Sequence, residues 1–382
     1  MRVLICPDKF AGTLSAVEAA EAVAEGWRSA APADETVIRP LADGGPGFVD
    51  VLAAALGGRR IAVATVDPLG RPVTGDVLVS GETGSGETGY VESAQACGLH
   101  LLAPDERDPK ITTSYGLGAL LAVAVESGVR RIVVGLGGSA TNDAGAGALA
   151  ALGAAPLDVA GYVLPYGGAA LAGVAALGGA PRLRGVEIVA ATDVDSPLTG
   201  LHGASNVYGP QKGASRADVL LLDAALARFA GVLEKDLPGC PPGLAALPGG
   251  GAAGGIGAAI LALGGRCESG IGLVRRLTGF DAALDGCDLV VTGEGSFDHQ
   301  SLRGKVVAGV AQAAQERGLP CVVVAGRAGA GRREAAAIGV GEVHSLVEHY
   351  GGGERGVAEA MARPAEGLRE LAARLARQWS RP

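Results

Sequence analysis

Five short β-branched runs, residues 3–6, 131–134, 187–191, 288–292 and 320–325, each run out into a loop rich in Gly, Asp, Ser or Thr and give way to alanine-rich stretches. Apolar strands that alternate with helices belong to a parallel sheet covered on both faces, so the fold class is α/β. In such sheets ligands bind beyond the carboxyl ends of the strands. The loops are therefore where chemistry is expected. At 382 residues the chain also exceeds the roughly 250–300 residues at which single cores stop growing, which makes two domains the expectation. Ser15 with Glu18, and Ser215 with Asp218, carry the capping pattern of helix starts. Residues 71–92 read as strands and turns without a helix, with a boundary near 67–70. Residues 355–379 read as helix, broken or restarted at Pro364.

Charge and cysteine usage exclude several classes. Lys and Arg total 32 against 40 Asp and Glu, a net charge of −8 that repels polyanions, so no nucleic-acid partner is expected. Cys6, Cys97, Cys240, Cys267, Cys287 and Cys321 lie far apart with no metal-ligand spacing and read as small hydrophobes in a reducing compartment. Only residues 3–6 are continuously apolar at the N-terminus, which is too short for a signal peptide. A cytoplasmic protein is the expectation. Residues 159–181 and 240–265 carry no charge, but Gly and Pro interrupt both, so neither is read as a membrane span. Oligomeric state is left open, a homo-oligomer included.

Among the loops, the dinucleotide pattern G-x-G-x-x-G occurs at 84–89, 249–254 and 351–356, none after a clear strand and before a clear helix. An oxidoreductase reading rests on these alone. A P-loop also fails, because His299 stands where the first glycine belongs and Val306 follows Lys305. Any ATP site is of another design. Gly137, Gly138 and Ser139 leave a strand toward an alanine-rich helix, so their amides can cradle an anion, with Thr141, Asn142 and Asp143 as further polar ligands. An ordinary strand-to-helix turn capped by Thr141 or Asn142 would use the same residues. Glu294, Asp298 and Lys305 follow another strand and could hold Mg²⁺ and a phosphate; a solvated loop with a salt bridge is the alternative. Asp43 and Asp193 place carboxylates in two further loops, where each could take a proton, bind a metal or cap an element. Gln211 and Lys212 bring amide and ammonium donors suited to a carboxylate or phosphate, or to a capped turn.

Five of these segments, Gly137-Gly-Ser-Ala-Thr-Asn-Asp143, Gly209-Pro-Gln-Lys-Gly213, Gly251-Ala-Ala-Gly-Gly255, Gly293-Glu-Gly295 with Asp298 and Gln300, and Gly304-Lys305, stand in the order of the bacterial glycerate kinase family. The chain resembles that family, of the glycerate 2-kinase type, from Val3 to the C-terminal helix. The resemblance implies a Rossmann-like parallel-sheet domain built from both chain ends (1–68 and 286–382) and an inserted α/β domain (69–285), with substrate in the cleft between them. It also implies ATP with Mg²⁺ and D-glycerate, with 2-phosphoglycerate as product; 3-phosphorylation and a related hydroxy acid are alternatives. On this reading Asp193, Asp298 and Lys305 are catalytic, the two aspartates doubling as metal ligands. The segment 137–143 serves the nucleotide phosphates, and Lys9, Asp43, Gln211, Lys212 and Glu294 face the acceptor. Three positions depart from the family pattern: Lys9-Phe10-Ala11 replaces Ser-Phe-Lys, Pro46 replaces a glutamate, and Ser296 replaces an arginine. A binding or regulatory protein that kept the site and lost transfer is the alternative from another class.

Overall fold

The computed structural model describes residues 1–81, 86–302 and 305–380. In chain order its strands are Arg2–Ile5 (β1), Glu35–Ile38 (β2), Arg59–Val66 (β3), Pro72–Ser80 (β4), Thr88–Glu92 (β5), Arg131–Gly135 (β6), Ala154–Leu157 (β7), Ala176–Gly179 (β8), Glu187–Ala191 (β9), Arg266–Glu268 (β10), Leu289–Phe297 (β11), Cys321–Ala328 (β12) and Glu342–Ser345 (β13). All five strand readings fall on one of these. The chain divides into two compact units, Met1–Asp43 with Asp50–Leu56 and Ile271–Pro382, and Gly44–Val49 with Gly57–Gly270.

The first unit is a parallel sheet of order β13-β12-β11-β1-β2. Val3, Ile5, Leu289, Val291, Val322 and Val324 pack into one core with the helices Ala16–Ala30 and Pro364–Trp379. Leu4, Val290 and Val323 alternate with them and are equally buried, so both faces are covered. From the β1/β11 pair the chain winds outward in both directions, to β2 on one side and to β12 and β13 on the other. Strand order thus reverses at this pair, the place where open α/β sheets form their binding crevice.

Local signals set the helix ends. Ser15 Oγ accepts from Glu18 N (3.2 Å) while Glu18 Oε2 accepts from Ser15 N (2.8 Å), a complete capping box. Replacing Ser15 by Ala is expected to cost about 1 kcal/mol, read as a lower midpoint in urea unfolding with an unchanged slope. Pro364 does restart the helix: it sits in the first turn of Pro364–Trp379, after Gly353–Ala362 ends.

The second unit holds a six-stranded sheet of order β10-β9-β6-β5-β4-β3, parallel from β10 to β5 and antiparallel from β5 to β3. Residues 71–92 supply β4 and β5, as their texture predicts. The turn signal at 67–70 is a tight turn within this unit: Asp67 Oδ1 accepts from Leu69 N (2.8 Å) and Arg71 N (2.9 Å). β3 pairs with β4 along its whole length, so the long segment of this unit begins at Gly57 and not at 69, with Gly44–Val49 joining it from earlier in the chain. At its other end residues 271–285 pack with the first unit. Among the described residues no helix is long and apolar enough to cross a membrane. The uncharged stretches instead hold the 3-10 helix Gly168–Gly173, β8 and the helix Ala252–Ala262. All six cysteines are free.

Candidate functional site

In the second unit β6 delivers the loop 136–145, and Gly137, Gly138 and Ser139 wall a cleft of about 110 Å³ together with Tyr208, Gln211 and Lys212. The loop runs well past these three residues. Its helix, Ala146–Ala151, begins only after Gly145, so no helix start stands directly behind the three glycine-cradle residues. The cap also differs. Asp143, rather than Thr141 or Asn142, accepts from Gly145 N (3.1 Å) and Gly147 N (3.2 Å), and from Ser114 N and Oγ (both 2.8 Å). Its two oxygens are spent on this turn, and burial pushes its pKa up against those bonds. Thr141 and Asn142 are equally enclosed; Asn142 Nδ2 donates to Ser205 Oγ (2.9 Å).

Lys212 is the charge in this cleft. The 3-10 turn Pro210–Lys212 leaves Gln211 exposed and turns Lys212 inward, where only 2 % of it remains accessible. Its Nζ donates to Thr141 O (2.7 Å) and Ser139 Oγ (3.0 Å). Burial lowers its pKa to about 7, with Asp143 and Cys97 pulling the other way. An anion entering the cleft would draw the proton back and pair with it.

Backbone-to-backbone packing shapes the walls. A side chain at Gly137 would place its Cβ 2.7 Å from Gly45 Cα, and Pro46 lies against Gly138. Glu92, at the end of β5, accepts from Gly47 N (3.0 Å) and ties the 44–49 loop there. The run 251–255 crosses the 141–144 loop: Ala144 N donates to Gly254 O (3.1 Å), and a Cβ on Gly254, at φ 70°, would sit 1.8 Å from Thr141 O. The glycine pattern at 249–254 therefore serves loop crossing and no dinucleotide turn. The pattern at 351–356 joins two helices, while Gly84 of the remaining one lies outside the described residues. Asp193 follows β9 and is exposed, its Oδ1 accepting from Ser269 Oγ (2.7 Å).

The first unit gathers a second group at the ends of β1 and β11. Asp8 is buried, accepts from Lys9 N (2.7 Å) and faces Lys9 Nζ at 3.5 Å. Burial raises its pKa to about 6, Lys9 lowers it, and the nearby Asp43 raises it again. Glu294 is raised to about 7, first by burial and then by Asp8 and Asp298, against Ser301 and Lys305. Its Oε1 is buried without a protein partner. Asp298 Oδ1 accepts from Gln300 N (2.8 Å), and Lys305 Nζ reaches Gln300 Oε1 (3.4 Å). Gly304 lies outside the described residues. Asp8 and Ser301 were not singled out by sequence, yet Asp8 obeys the strand-end rule that pointed to Asp193. Glu92 and Tyr208 carried no such signal.

The sequence profile of the glycerate kinase family matches residues 3–380. The chain belongs to the glycerate kinase family. A glycerate 2-kinase of Escherichia coli K12 is 42 % identical over 330 residues, 85 % of each chain, and a glycerate kinase of Bacillus subtilis is 43 % identical over 331, again 85 % of each. A crystal structure from Salmonella typhimurium LT2, provisionally assigned as a glycerate kinase 2, superposes with a TM-score of 0.80 at 38 % identity over 99 % of this chain and 98 % of that one. Within the family, two of the departures acquire a setting here. Pro46 packs on the Gly138 wall of the cleft, and Ser296 pairs in the β-ladder with Arg327, so a guanidinium stands across from the position where the family pattern carries one.

Proposed function

We propose that this chain transfers the γ-phosphate of ATP to D-glycerate in the cytoplasm, giving 2-phosphoglycerate, with Mg²⁺ accompanying the nucleotide. The observation that carries it is Lys212: a buried ammonium in a small cleft where Gly137, Gly138, Ser139, Tyr208 and Gln211 stand beside the apolar Leu136, Val194 and Ala253. Phosphoryl transfer asks a protein chiefly to position reactants and to neutralise spread negative charge, and a desolvated cation does both. On this reading Gly137, Gly138, Ser139, Gln211 and Lys212 receive a phosphoryl group or the glycerate carboxylate. Thr141, Asn142 and Asp143 act from behind, by holding the loop.

Among the described residues no three His, Cys or carboxylate side chains converge closely enough to hold a metal by themselves. That suits Mg²⁺, which is commonly held by one or two carboxylates together with substrate phosphates. Glu294, with a buried unpaired oxygen, and Asp298 beside it are the fitting donors, and Asp8 adds charge behind them. When bound, the ion supplies neutralisation of the β- and γ-phosphate oxygens. Asp193 or Asp298 accepts the proton as the C2 hydroxyl oxygen bonds to Pγ and the bond from Pγ to the bridging oxygen of ADP breaks. Lys9, Asp43 and Lys305 set the charge around these groups.

Phosphorus NMR of the protein with MgATP and D-glycerate tests the proposal. A 2-phosphoglycerate resonance growing with ADP is the expected result. A 3-phosphoglycerate resonance would move the attacked hydroxyl, and glycerate-induced thermal stabilisation without any product would replace the kinase by a binding protein.

A further inference from the structure

We infer that the apolar pocket at the carboxyl ends of β11 and β12 is a purine-base site, taking the adenine of ATP; this rests on the kinase reading above. The pocket measures about 170 Å³ and lies wholly within the first unit. Phe10 forms part of its floor, and Leu346, Val357, Ala360 and Met361 form its side. Val357 and Met361 are 42 % and 55 % exposed, unusual for large apolar side chains on an otherwise capped sheet, so the pocket opens to solvent through a flexible apolar rim.

Two glycines line it where backbones approach closely. Gly295 and Gly326 stand opposite one another on β11 and β12, between the paired residues Glu294 with Ala325 and Ser296 with Arg327. A Cβ on Gly326 would lie 2.4 Å from Gly295 O, and one on Gly295 would lie 2.9 Å from Ala11 N. Neither side chain could exist without pushing the strands or the 10–11 turn apart. The result is a small, mainly apolar pocket with closely packed strand backbone along one wall, of a size and lining that suit a heterocyclic base.

Its surroundings select a nucleotide rather than a lipid or an apolar peptide. The pocket shares its two loops with the carboxylate group: Phe10 and Ala11 follow Asp8 and Lys9, and Gly295 and Ser296 separate Glu294 from Asp298. A base in the pocket would thus direct its phosphates along the same strand ends that carry the candidate magnesium donors. Arg327 is exposed at the rim and, among the described residues, makes no ion pair, which leaves it available to an anionic phosphate. The cleft of the second unit is smaller, about 110 Å³, and encloses the Lys212 amine, which suits an anionic group better than a heterocycle. Among the described residues the two glycine patterns that can be placed do not compete for the role, since 249–254 serves loop crossing and 351–356 joins two helices.

Ala360→Trp fills the pocket from the helix Gly353–Ala362 without touching a carboxylate. The expected result is a rise of about tenfold or more in KM for ATP and in the calorimetric Kd for ADP with KM for D-glycerate held, alongside a lower melting temperature because Ala360 is a buried core residue. Val357→Trp, on the exposed rim, carries the same test should Ala360→Trp fail to fold. A folded variant with unchanged ADP affinity overturns the base site, whatever the wild type does with glycerate. A wild-type protein that binds ADP, loses that binding in the variant, and makes no phosphoglycerate overturns the kinase reading and leaves the base site standing.

Discussion

Lys212→Met is expected to lower kcat by about a hundredfold to a thousandfold, the usual loss when one preorganised electrostatic donor is removed, and at the same time to make the ligand-free protein more stable at pH 6. The stability half follows from linkage. The folded-state pKa of about 7 lies below the ordinary lysine value of 10.5, so between these limits the unfolded chain holds a proton that the folded chain has released. The cost of charging the buried amine is absent above 10.5, grows as pH falls, and is complete below about 7, where it amounts to roughly 5 kcal/mol at 1.36 kcal/mol per unit. Methionine removes this cost but strands Ser139 Oγ and Thr141 O, a loss of about 2 kcal/mol. Urea unfolding should therefore favour the variant by roughly 3 kcal/mol at pH 6 and the wild type above about pH 10. A variant that is less stable at every pH would show that Lys212 is structural. The same titration makes anion binding at pH 8 take up a proton, visible as a dependence of the calorimetric heat on the buffer's ionisation enthalpy.

Glu294→Gln is expected to cut turnover by about a hundredfold and to raise the Mg²⁺ concentration needed for half-maximal rate. The wild-type rate should fall on the acid side of pH 7, as Glu294 and then Asp8, at about 6, take up protons. In the variant only the Asp8 limb remains. Here the sign of the stability effect is the reverse of the lysine's. The folded pKa of Glu294 is raised from 4.5 to about 7, so the penalty for ionising it is absent below 4.5, accrues between the two values and is complete above 7. The variant should thus gain roughly 2–3 kcal/mol at pH 8 after allowance for partial solvation, and nothing at pH 4. Unchanged turnover together with unchanged magnesium dependence would remove Glu294 from the site. A protein that gains stability on losing either residue holds them for function, since selection keeps such costs only where activity requires them.

Both residues were named by their loops, yet neither role was legible there. For Lys212 the sequence shows a lysine between glycines, a pattern shared with any solvated turn. What makes it a cleft cation is enclosure by residues far along the chain, Ser139 lying 73 positions away. Asp143 shows the converse. Its position in a glycine-rich loop suggested a ligand-facing carboxylate, whereas Ser114 and the amides of Gly145 and Gly147 at the start of the following helix consume its oxygens. The domain edge was misplaced for a related reason. The turn at Asp67 has the same local chemistry whether it ends a domain or joins two paired strands, and only the β3–β4 ladder distinguishes them.

The sequence by itself determined the alternation of strands and helices, the capping boxes at Ser15 and Ser215, and the family order of the loops, because each is written in neighbouring residues and the backbone acts on them locally. Only the tertiary structure decided which charges are desolvated, which carboxylates are spent on capping, and that Phe10, Gly295, Gly326, Leu346 and Met361 come together around an apolar pocket beside Glu294. Those properties depend on burial and close approach between segments distant in the chain, and no window of sequence contains them.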